Sequence, residues 1–189
     1  MLNIFTPLFR TGNIKTVSDS IPKANDINHI IVISKERKDL IKECKDLKLK
    51  YILIDEPDSI ESVSIKVNTA IQSCTTGYFF GLDDDTTFNE NTYTLYQKYK
   101  EYYKMIIGKQ QFIHQGKVII RLNETIPACC KIDGAQGLVH ISLAKQVKFK
   151  SFTESDCSDG LFLLDCWNKC NEDERLLTPE IISNYNFLR

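Results

Sequence analysis

The run Tyr78-Phe79-Phe80-Gly81-Leu82 stops in three consecutive carboxylates, Asp83, Asp84 and Asp85, followed by Thr86, Thr87 and Phe88. An apolar, aromatic run of this kind is of strand type, so the acids fall at a strand terminus. Side-by-side carboxylates repel one another unless a cation neutralises them, and hard oxygen ligands suit Mg²⁺ or Mn²⁺ carrying a phosphate group. The competing reading is a solvated acidic turn, but the acids follow an apolar strand and do not sit within a charged tract. A second acidic group, Glu154, Asp156 and Asp159, precedes Gly160 and the apolar stretch Leu161 to Leu164. A carboxylate entering a helix can act as general base, and it can equally be an N-cap.

The elements that must position these acids alternate between strand and helix patterns. Leu2 to Pro7 reads as a strand, followed by a polar loop, Phe9 to Asn13, and a helix to about Ile21. His29 to Ser34 and Lys50 to Asp55 are strands on either side of an amphipathic helix, Lys35 to Leu47. Ile60 to Ser73 is a helix, Thr75-Thr76-Gly77 ends it, and the fourth strand starts at Tyr78. Parallel neighbours need crossovers of helix length, so this order predicts a mostly parallel sheet in an α/β domain. Its fourth strand carries the acids at the carboxyl end, where open α/β sheets bind ligands.

Beyond the acids the pattern becomes β-rich. Asn89 to Tyr103 is a tyrosine-rich helix whose spacing fits packing of a half-buried face. Met105 to Ile107, Gln111 to His114 and Lys117 to Arg121 read as strands, the last two joined as a hairpin at Gln115-Gly116. The loop Cys129 to Gly137 is rich in small residues and leads to a strand, Leu138 to Leu143. Leu161 to Lys169 is a helix, and the tail to Arg189 is too apolar to be a disordered end.

At 189 residues and 42% hydrophobic, the chain is of a size for one domain and one core. The pattern divides it into a βα-repeat half, about 1–88, and a β-rich half, about 89–189. A net charge of −1 implies no nucleic-acid partner. No apolar run approaches the roughly 20 residues of a transmembrane segment, so the expected chain is soluble and cytoplasmic. Seven cysteines without CxxC pairs are expected to be reduced.

The order of these motifs resembles the GT-A glycosyltransferases, especially the large inverting family 2. Thr6-Pro7 is similar to that family's first turn, Asp55 ends the third strand, Asn68 lies in the helix before the acids, and Asp83-Asp84-Asp85 matches the DXD motif. Glu154 to Asp159 stands where the family carries its late acids. Val67 replaces the family's basic residue, with Lys66 one step earlier. The resemblance implies a donor of nucleotide diphosphate sugar type, UDP or GDP, and a glycan or other hydroxyl acceptor. It assigns the metal to Asp85 and Asp83, with Asp83 and Asp84 toward the nucleotide sugar, and places Thr6, Pro7, Ser34, Asp55 and Asn68 around the nucleotide. Asp159 is the first choice for the base, ahead of Asp156, because a helix follows it directly.

Two alternatives compete. Asp83-x-Asp85-x-Thr87 also matches the haloacid-dehalogenase signature of phosphohydrolases, although that signature opens a first strand and three strand-helix units precede it here. A module that binds nucleotide sugar or glycan without turnover is the other. A calcium loop from Asp83 is excluded, because Phe88 stands where glycine is needed and Thr94 where glutamate is needed.

Overall fold

The computed structural model of the protein describes residues 1–114, 117–121, 127–128, 131–151, 157–185 and 188. Strands β1 (Leu2–Pro7), β2 (Ile27–Ser34), β3 (Tyr51–Ile54) and β4 (Tyr78–Gly81) lie parallel in the order β3-β2-β1-β4. Helices α1 (Ile14–Ser20), α2 (Lys38–Asp46) and α3 (Ile60–Ser73) connect them. These are the crossovers that the alternating pattern requires. A capping box starts α3, with the Ser59 and Ser62 hydroxyls each meeting the other residue's backbone N–H.

Entry into β4 depends on Gly77. Its φ of 87° lies in the left-handed region, and a Cβ there would stand 1.8 Å from the Met1 carbonyl oxygen. That close approach lets Tyr78 N–H donate to the same oxygen, which sets β4 beside β1.

The sheet continues into the second half of the chain. Strand β5 (Thr87–Phe88) follows the acids, and α4 (Glu90–Tyr99) follows β5. Next come β6 (Met105–His114), β7 (Lys117–Arg121), β8 (Gly137–His140) and the short α5 (Ile141–Ala144), then α6 (Ser158–Lys169) and β9 (Arg175–Tyr185). From β4 the order runs β8-β6-β9-β5, with β7 paired to β6. Strand β8 is antiparallel to both β4 and β6, while β9 runs parallel to β6. The result is one mixed α/β domain with a single sheet.

Strand alternation divides the core in two. Phe5, Val32, Phe79 and Val139 face α3, α5 and α6, whereas Leu2, Ile4, Ile31, Phe80 and Leu138 pack with α1, α2 and α4. The tyrosines of the fourth helix behave as packing residues: Tyr96 is buried, and Tyr93, Tyr99 and Tyr103 lie against the second cluster.

Two expectations change, and the apolar tail takes an ordered place. The strand predicted to reach Leu143 ends at His140, whose ring accepts from Ser142 N–H and starts α5. The tail forms β9, inserted between β6 and β5, and Pro179 is accommodated where the β6–β9 register shifts between Ile107 and Lys109. Cys157 is disulfide-bonded, against the expectation of reduced thiols, while Cys44, Cys74, Cys166 and Cys170 are free and buried. The expected turn Gln115-Gly116, the pair Cys129-Cys130, Glu154 and Asp156 lie outside the described residues. Among the described residues no helix is long and apolar enough to cross a membrane.

Candidate active site

A cavity of about 380 Å³ opens at the carboxyl ends of β1 and β4, between α3 and α6. Its polar end carries Asp83, Asp84, Asp85, Asp133, Asp159 and Arg10; Phe5, Val67, Phe79 and Phe162 are among its apolar walls. The parallel sheet thus delivers the acid triplet to the edge where α/β folds bind ligands.

Each acid has its own setting. Asp84 is buried and holds the loop after β1: one carboxylate oxygen accepts from Phe9 N–H at 2.7 Å and Arg10 N–H at 2.8 Å, and the other accepts from Arg10 Nη1. Asp85, also buried, accepts from Arg10 Nη1 at 3.0 Å and from the Thr86 hydroxyl at 3.3 Å. Asp83 opens onto the cavity, and among the described residues no hydrogen bond reaches its carboxyl group. Burial first, and then the charges of Asp133, Asp159, Asp85 and Asp84, push its pKa well above the ordinary carboxylate range.

Asp133 belongs to the site although the sequence marked only its loop. It caps the 3₁₀ turn Gly134–Gln136, accepting from Ala135 N–H at 3.0 Å and Gln110 Nε2 at 3.2 Å. Gln110 also donates to the Ser183 hydroxyl at 3.1 Å, which in turn donates to the Ala135 carbonyl at 2.6 Å. Pairing of β8 with β4 sets this turn beside the acids, and buried groups of β6 and β9 fix it.

Asp159 reaches the same cavity from the first turn of α6. The N-cap of that helix is Cys157, so Asp159 is not the cap; its position in the first turn still suits a negative charge. A Cβ at position 134 would lie 3.4 Å from the Asp159 carboxylate.

The resemblance-based nucleotide residues divide. Pro7 lines the cavity, as do Asp83 and Asp84. Thr6 points to the opposite face, 3.0 Å from His29 Nε2, whose pKa burial lowers to about 4. Ser34 is buried and donates to Asp58 at 2.7 Å, Asp55 makes an exposed pair with Lys35, and none of the three lines the cavity. Asn68 ties α3 to Phe149 through the Phe149 carbonyl at 2.9 Å and its N–H at 3.1 Å. Asn68 is thereby kept outside the cavity, although Phe149 is part of its wall.

A buried ionic group lies beneath. Lys66, with no exposed surface, donates to Asp58 at 2.7 Å and the Leu8 carbonyl at 2.9 Å, and its ammonium stands 3.4 Å from the Phe9 ring centre. Arg37 reaches the other Asp58 oxygen at 2.5 Å and the Phe9 carbonyl at 2.8 Å. Lys66 serves the loop from below and does not face the cavity.

The Mg²⁺ or Mn²⁺ expected on Asp83 and Asp85 meets a different arrangement. Among the described residues no group of three or more His, Cys, Asp or Glu side chains is placed to hold a metal ion. Asp85 is paired with a guanidinium, and both oxygens of Asp84 are bonded to the loop and to Arg10. As folded, these residues do not form a metal cage.

No protein-family model matches the chain, and no curated protein matches it in sequence. Solved structures do resemble it. S. aureus TarS, residues 1–349, superposes with a TM-score of 0.69 at 15% identity, covering 97% of this chain and 59% of TarS. The same TarS fragment in complex with UDP-GlcNAc gives 0.71 at 13% identity, over 97% and 57%. The inositol-1-phosphate CTP transferase of T. maritima gives 0.54 at 12% identity, over 97% and 87%. The chain thus spans less than three-fifths of the TarS fragment. What these likenesses show is the fold, a GT-A, Rossmann-like α/β domain.

Proposed function

We propose that the chain is a glycosyltransferase that moves a sugar from a nucleotide diphosphate sugar, UDP or GDP type, to a hydroxyl acceptor with inversion. The observation that carries this is the convergence of Asp83, Asp84, Asp85, Asp133 and Asp159 with Arg10 on one cavity at the carboxyl end of β4. Support also comes from the fold it shares with TarS, which has been solved with UDP and with UDP-GlcNAc.

The chemistry assigned to each group follows from its setting. Asp159, which lines the same cavity as the triplet, takes the proton of the acceptor hydroxyl as its oxygen attacks the anomeric carbon. The bond from that carbon to the diphosphate oxygen breaks, and its electron pair leaves with the diphosphate. Direct displacement of this kind inverts the anomeric centre. Asp83 faces the donor from the cavity wall, and Asp133 accepts a hydrogen bond from a sugar hydroxyl. Asp156 is the second candidate for the base. A divalent ion on Asp83 and Asp85 is an alternative source of positive charge under the diphosphate, but it would have to displace Arg10 from Asp85.

The phosphohydrolase reading needs Asp83 as nucleophile on the strand that opens the domain, whereas three strand-helix units precede β4 here. A module that binds without turnover would keep the donor site and lack a product.

A donor screen tests the binding half of this proposal. UDP, GDP and their sugars should raise the melting temperature in proportion to occupancy, because a ligand bound only by the folded state stabilises it by mass action. Absence of any shift at millimolar concentrations would remove the nucleotide-sugar reading.

A further inference from the structure

We infer that Arg10 is the anion-binding residue of this site, and that its guanidinium holds the donor's diphosphate without a divalent ion. The inference rests on the nucleotide-sugar reading above. Arg10 stands at the cavity on a loop whose backbone is fixed at successive points. Leu8 carbonyl is held by Lys66, Phe9 carbonyl by Arg37, and the Phe9 and Arg10 N–H groups by Asp84. The side chain is 44% exposed, and its Nη1 alone meets Asp84 and Asp85. Among the described residues neither Nε nor Nη2 makes a hydrogen bond. A guanidinium presents five N–H donors in a planar fork, so one edge can stay on the carboxylates while the others receive phosphate oxygens.

Charge balance supports the same conclusion. Around the loop, three cations, Arg10, Arg37 and Lys66, face three largely buried carboxylates, Asp58, Asp84 and Asp85; Asp39 meets Arg37 at its solvent edge. Asp84 and Asp85 therefore do not present two uncompensated charges to an incoming diphosphate. A divalent ion seated on Asp85 would instead be placed against the Arg10 guanidinium.

The test is an NMR titration, which reads weak as well as tight binding, of wild type, Arg10→Ala and Arg10→Lys. UDP and GDP are the probes, each in EDTA and in Mg²⁺, with uridine and guanosine as phosphate-free controls. The diphosphate that binds should do so in EDTA with an affinity within about threefold of that in Mg²⁺. Arg10→Ala should weaken it about ten- to a hundredfold, and Arg10→Lys less. The matching nucleoside should bind all three proteins alike. Binding that requires Mg²⁺, diphosphate affinity unchanged in Arg10→Ala, or an equal loss for the nucleoside would each overturn the inference while leaving the donor reading in place. If neither diphosphate binds wild type in either buffer, the donor reading fails and this inference with it.

Discussion

Asp159→Asn should lower turnover by about a hundredfold or more while leaving donor affinity nearly unchanged, because a general base acts mainly in the transition state. The substitution keeps the size of the side chain, so the fold should survive. Steady-state rates with donor and acceptor, beside donor binding by titration, separate the two effects. Asp156→Asn should do much less. A fully active Asp159→Asn enzyme would remove Asp159 from the chemistry, and an inactive Asp156→Asn enzyme beside it would move the base three residues upstream.

Asp58→Ala should destabilise the protein by about 3 kcal/mol, since removing one partner of a buried ion pair leaves the other charge uncompensated. The uncompensated charge would be that of Lys66, which has no accessible surface and would keep only the Leu8 carbonyl and the Phe9 ring. Burial already lowers the Lys66 pKa, and its bond to Asp58 opposes that shift. Lys66→Met should cost less, about 1–2 kcal/mol, because Asp58 would retain Arg37 and Ser34 while an apolar chain fills the space. Urea midpoints at constant slope measure both. The reverse order, with Asp58→Ala milder than Lys66→Met, would show that Lys66 needs its packing more than its charge partner.

The acid triplet was legible because its signal is local: an apolar strand followed at once by carboxylates, after three strand-helix units whose periods match their final structure. The helix α3 is found at Ile60–Ser73, where the pattern placed it, and β1 at Leu2–Pro7. Asp159 was legible through the helix that follows it. Arg10 was not, since it meets Asp84 only after β1 and β4 have paired, and no local pattern marks a contact across 74 residues. Asp133 was hidden for the same reason. Its small-residue loop stood out, but the antiparallel pairing of β8 with β4 is what carries it to the acids. The long β9 escaped notice because Pro179 breaks the strand pattern, and only the partner strand shows that it falls at a register shift. Thr6 and Pro7 illustrate the limit of motif matching: they are adjacent, yet strand alternation sends one to the cavity and the other to His29.

Product analysis tests the central claim most directly. The wild-type chain would be incubated with UDP- and GDP-sugars, with and without simple hydroxyl acceptors, and in parallel with a phosphomonoester. The account predicts release of the nucleoside diphosphate from one of the nucleotide sugars, speeded by an acceptor, and no inorganic phosphate from the phosphomonoester. Inorganic phosphate together with a phosphorylated Asp83 would contradict it in favour of a phosphohydrolase. Tight binding of a nucleotide sugar that is never consumed, whatever acceptor is supplied, would contradict it in favour of a binding module.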